Sequence, residues 1–95
     1  MSTLAVLNPA TGELIAELPP DDAASVRTKY EAARAAQPGW AAVPLAERRA
    51  CIERFREGVV RETGSLARTM TRETGKPIRM SRNELVGLVP RSDFF

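Results

Sequence analysis

Prolines and glycines partition this sequence, because each fixes or frees a backbone angle that a regular element cannot ignore. Asn8-Pro9-Ala10-Thr11-Gly12-Glu13, Pro19-Pro20, Pro38-Gly39, Pro44, Thr63-Gly64 and Gly75-Lys76-Pro77 divide the 95 residues into short segments. Leu4-Ala5-Val6-Leu7 and Leu14-Ile15-Ala16-Glu17-Leu18 are rich in branched residues and predict two strands over about 4–18. Pro9 presets φ for a type I turn between them, and Gly12 supplies the positive φ that closes it. A lone hairpin is marginal in water, so it must rest on something larger.

Pro19-Pro20 stops the second strand, and Asp21 or Asp22 can then cap a helix expected over about 22–37. Ala23, Val26, Tyr30 and Ala33 share one face of it, and Pro38-Gly39 is expected to end it. Trp40 follows as a packing anchor in the connection. A second helix, about 44–61, opens at Pro44 with Glu47 near its positive end. Leu45, Ile52, Phe55 and Val59 form its apolar stripe, with Arg48, Arg49, Glu53, Arg54 and Glu57 facing water. A third helix, about 64–74, carries Leu66 and Met70 and is capped by Gly75 in the left-handed region. A fourth, about 77–89, starts at Pro77. It is weakened by Asn83 and Gly87 and should kink or stop near Val89, because Pro90 cannot bond to the Val86 carbonyl. These elements alone describe an α+β or mostly α segment.

Ninety-five residues suffice for one small domain, not for a cofactor domain plus a substrate domain. A chain of this size hides only about 60–65% of its unfolded surface, so a free-standing fold would be marginal. Apolar content of 43% and charged content of 27% argue against disorder over most of the length. The net charge is only +2, which gives no electrostatic case for a nucleic-acid or membrane partner. The opening residues lack the pattern of a signal peptide, and no stretch has the length of a membrane span. The expected compartment is the cytoplasm. Asp93-Phe94-Phe95 puts two large apolar residues at the last positions, which reads as a cut through a continuing element.

The chemical inventory is thin. There is no histidine, hence no commonest general base and no commonest metal ligand. Cys51 is the single cysteine, which excludes an intrachain disulfide. Arg48 and Arg54 lie within helical reach of it, but a small buried or half-buried cysteine explains it better than a nucleophile. Arg68, Arg72, Lys76 and Arg79 recur at near-helical spacing and could form an anion patch. Glu62, Glu73 and Glu84 interrupt it, and the Gly75 turn breaks the face, so a solvated or subunit-facing surface is the reading preferred. Glu73 has no second ligand for an ion. Trp40, Tyr30 and Phe55 are expected in the core rather than as a stacking platform.

Four blocks in order carry a resemblance: Asn8-Pro9-Ala10-Thr11-Gly12-Glu13; Ala32 to Trp40, an alanine-rich helix running into a tryptophan; Pro44-Leu45-Ala46-Glu47-Arg48 with Ile52 and Phe55 behind it; and Glu73-Thr74-Gly75-Lys76-Pro77. Together they resemble the amino-terminal segment of the aldehyde dehydrogenase superfamily, over nearly the whole chain. The resemblance implies an α/β parent with a Rossmann-type cofactor domain, a catalytic domain and an oligomerisation arm. It implies oxidation of an aldehyde to a carboxylic acid with NAD or NADP, through a cysteine thiolate and a glutamate-activated water. In that family the catalytic cysteine, glutamate and asparagine and the nucleotide-binding turn all lie downstream of the segment seen here. Residues 1–95 would then be the amino-terminal part of the cofactor-binding domain, packed against the remainder of its chain in a homo-oligomer. No catalytic, cofactor-binding or metal-binding residue is assigned to this chain, and no cofactor is expected to bind it alone. The competing reading is a free-standing helical interaction module, or a decayed fragment that binds an intact aldehyde dehydrogenase.

Overall fold

The computed structural model describes residues 2–95. Strands β1 (Leu4–Leu7) and β2 (Leu14–Leu18) pair antiparallel, with Leu4 opposite Leu18 and Val6 opposite Ala16. A bulge between Val6 and Leu7 shifts the register by one before the turn. The turn closes through Asn8, whose N–H donates to the Glu13 carbonyl (2.8 Å) and whose own carbonyl accepts from Gly12 N–H (2.7 Å). The Asn8 side chain accepts from Ala10 N–H at 2.9 Å, an Asx turn that holds Pro9 in place. Gly12 takes φ +76°, as the turn requires.

Helix α1 (Ala23–Ala42) begins at a complete capping box. Ser25 N–H donates to Asp22 Oδ1 (2.8 Å), and Asp22 N–H donates to Ser25 Oγ (2.9 Å). The Ser25 hydroxyl also reaches Asp21 Oδ1 (2.8 Å), and Lys29 Nζ lies 2.8 Å from the Asp21 carboxylate. The helix does not end at residue 37: it runs through Pro38 and Gly39 to Ala42. Losing the Pro38 N–H frees one carbonyl, that of Arg34, and Arg34 lies on an exposed helix where water can take its place. The stop comes instead from Pro44, which holds the residue before it extended; Val43 sits at ψ 133° and its N–H turns back to the Trp40 carbonyl. Trp40 is therefore a helix residue, not part of a connection.

Helices α2 (Leu45–Arg61), α3 (Thr63–Thr74) and α4 (Ile78–Phe94) form the packed part of the molecule. Gly75, at φ +75°, ends α3 in the left-handed conformation with its N–H on the Thr71 carbonyl, and Pro44 and Pro77 stand at the N-caps of α2 and α4. α4 also outruns its expected end. It continues five residues past Val89, through Pro90. The Val86 carbonyl that Pro90 leaves unpaired belongs to an exposed residue, and the segment beyond is tied down twice. Ser92 Oγ donates to the Leu88 carbonyl (2.9 Å), and Arg56 of α2 grips Asp93 through Nε (2.7 Å) and Nη2 (3.2 Å).

The core is small and lies where α3, α4 and α2 meet. Ala67 and Ser81 are fully buried, and Leu85 and Val59 nearly so. Small residues let α3 and α4 approach closely, and the buried Ser81 hydroxyl is paired, 2.8 Å from that of Thr71. The hairpin reaches this body through Pro9, whose ring lies against the Gly75 turn, and through contacts of β1 with α3. α1 contributes no buried residue.

Gly75 and Gly87 make opposite predictions. A Cβ on Gly75 would meet Pro9 Cγ at 3.1 Å on a backbone with positive φ, so Gly75→Ala should cost about 1–2 kcal/mol. A Cβ on Gly87 meets nothing within 4 Å in a helix, so Gly87→Ala should stabilise by roughly 0.5–1 kcal/mol. Denaturant melts followed by circular dichroism check both signs.

The α1 cap predicts a pH dependence. Hydrogen bonding from Lys29, then Ser25, lowers the Asp21 pKa from its ordinary value. The Ser25 N–H, then its hydroxyl, lowers that of Asp22. Groups with a depressed folded pKa stabilise above the unfolded value, about 3.9, and lose that effect as pH falls through the folded one. Helix content at the start of α1 should be constant above about pH 5 and fall in acid. In Asp22→Ala the same region should be less ordered at neutral pH and less sensitive to acid, read from Cα chemical shifts of residues 23–29.

Candidate functional site

The chemistry-bearing residues do not converge. Cys51 sits in the second turn of α2, half-buried, and its sulfur accepts from Arg54 Nη2 at 2.9 Å. Arg48, the other arginine in reach, is turned elsewhere: its Nε donates to the Val43 carbonyl (3.0 Å) and helps close the α1–α2 connection. The thiol's polar neighbour is thus a cation one helical turn away, with no base beside it. Among the described residues no group of three His, Cys, Asp or Glu side chains could hold a metal ion.

The basic residues divide in the same way. Arg68 and Arg72 lie on α3, Arg79 on α4, and the Gly75 turn separates them. Lys76 is half-buried in that turn and pairs with Glu84 one helix along, so its charge is already met. Glu73 is exposed in the last turn of α3. These groups make a mixed-sign surface rather than one pocket for an anion.

A dinucleotide is not fitted by what the segment offers. Phosphate binding of the Rossmann kind needs a helix N-terminus reached from a parallel strand by a glycine-rich turn. Here α1 presents the carboxylates of Asp21 and Asp22 at its N-terminus, where phosphate would be repelled. α2 and α4 start behind prolines, α3 follows α2 directly, and the two strands are an antiparallel pair. No step involving the nicotinamide can be routed through these residues.

What the structure does present is uncovered apolar surface. Tyr30 is 59% exposed, Phe55 61% and Trp40 44%, so these three are not core residues, and the expectation that they would be is corrected. Leu45 and Ile52 of the α2 stripe are also exposed, while Val59 alone of that stripe is buried. Trp40, Leu45, Ile52 and Phe55 line, with Leu88 and Phe94 of α4, an open cleft of about 720 Å³. Of the expected α2 stripe only Val59 packs, and Arg48, expected to face water, is half-buried. Among the described residues the rest of that stripe stays exposed. Ala67 and Ser81, the two fully buried residues of the core, carry no hydropathy signal that the sequence could show, because small and hydroxyl side chains leave none.

The whole-molecule dimensions agree. The Cα radius of gyration is 17.4 Å, against about 12 Å for a compact domain of this length. The accessible surface is 7692 Å², against about 5,400 Å² for a folded monomer of 10.4 kDa. The excess, roughly 2,300 Å², is nearly three times the ~800 Å² that one partner of a standard interface buries.

All of residues 1–95 match the family model described as the aldehyde dehydrogenase family. The chain belongs to the aldehyde dehydrogenase family. It is 41% identical over 83 residues to a glutarate-semialdehyde dehydrogenase of Pseudomonas putida, covering 87% of this chain and 17% of that one. It is 42% identical over 82 residues to an N-succinylglutamate 5-semialdehyde dehydrogenase of Escherichia coli O157:H7, covering 86% and 17%. With N-succinylglutamate 5-semialdehyde dehydrogenase 1 of Caulobacter vibrioides it shares 46% identity over 77 residues, covering 81% and 16%. The matched region is thus about 17% of the length of the first of these aldehyde dehydrogenases. No solved structure matches significantly. Among the described residues no helix is long and apolar enough to cross a membrane.

The uncovered face makes a direct prediction. The chain should bind the apolar dye ANS, and Ile52→Glu with Phe55→Glu should lower that fluorescence about twofold. Because both side chains are at least half exposed, the double variant should change stability by no more than about 0.5 kcal/mol per site. Unchanged dye binding would place the exposed patch elsewhere.

Proposed function

We propose that residues 1–95 are a framework segment of an NAD(P)-dependent aldehyde dehydrogenase, the amino-terminal part of its cofactor-binding domain. In a polypeptide of the relatives' length, the segment supplies packing surface and no catalytic, cofactor-binding or metal-binding group. The observation that carries this reading is the uncovered apolar face of α1 and α2, in a chain whose every residue matches the family. A surface of that size is stable only when something covers it, and the natural cover is the remainder of the same polypeptide.

The reaction proposed for that polypeptide is oxidation of an aldehyde to a carboxylic acid by NAD or NADP, on an α/β scaffold and in a homo-oligomer. The substrate class proposed is a semialdehyde, because the relatives compared above are semialdehyde dehydrogenases by name. Cys51 takes no part: in mid-helix it has Arg54 beside it but no base to draw off its proton. The cytoplasm is the compartment proposed for it.

The test is made on the 95-residue chain itself. Titrated with NADH or NADPH, it should give no enhancement of reduced-nicotinamide fluorescence. With glutarate semialdehyde and either oxidised cofactor, it should give no absorbance rise at the reduced-nicotinamide wavelength. Saturable cofactor binding, or turnover lost in Cys51→Ser, would overturn the framework reading.

A further inference from the structure

We draw no further inference here: the strongest candidate, the open cleft between α2 and α4 lined by Ile52, Phe55, Phe94 and the arginines Arg48, Arg49 and Arg91, belongs to the uncovered face already described, and nothing in the structure shows what covers it.

Discussion

The seam between α3 and α4 holds what order this molecule has. Ala67 and Ser81 vanish completely from solvent there, which brings two helix backbones close, and the Ser81 hydroxyl is spared an unpaired burial by Thr71. An unmatched hydroxyl in that position would cost about 1–3 kcal/mol, a large share of what so small a core contributes. Leu85 and Val59 close the seam on the α2 side, and the Gly75 turn closes its end, where Pro9 brings in the hairpin. Every other element hangs from this joint. α2 is held through Val59 and the Arg56–Asp93 ion pair, the hairpin through one proline and the edge of β1, and α1, which buries no residue, chiefly by its connection to α2.

That hierarchy explains why punctuation was legible and packing was not. Local chemistry decides a turn or a cap, so Asn8 to Glu13, the aspartates before α1 and the left-handed Gly75 all do in the structure what their side chains dictate. Prolines are less legible: the stop of α1 is expected at Pro38-Gly39 and comes at Pro44, expected only to open α2. Pro44 stops α1 because it restricts Val43, whereas Pro38 and Pro90 merely delete one hydrogen bond each on exposed helices. A deletion that water can repair does not end a helix. The apolar stripes were also visible, but a stripe states only that a face needs cover. It does not state who provides it, and Tyr30, Trp40 and Phe55, expected in the core, are exposed.

The same distinction governs the functional reading. Family membership is carried by turn, cap and helix-face residues spread over the whole segment, each with a sufficient structural reason to exist. None of them forms a site with another: Cys51 looks to Arg54, Lys76 to Glu84, Arg56 to Asp93, and Asp21 to Lys29.

Stability is distributed unequally over the chain, and native-state hydrogen exchange of the 95 residues measures that distribution residue by residue. The slowest amides should lie in α3, in α4 and in the turn of α2 around Val59. Those of α1, a 20-residue helix with no buried side chain, should exchange almost as fast as in a free helical peptide. Protection of α1 equal to that of α4 in a monomeric chain would contradict the claim that its apolar face is left without a partner.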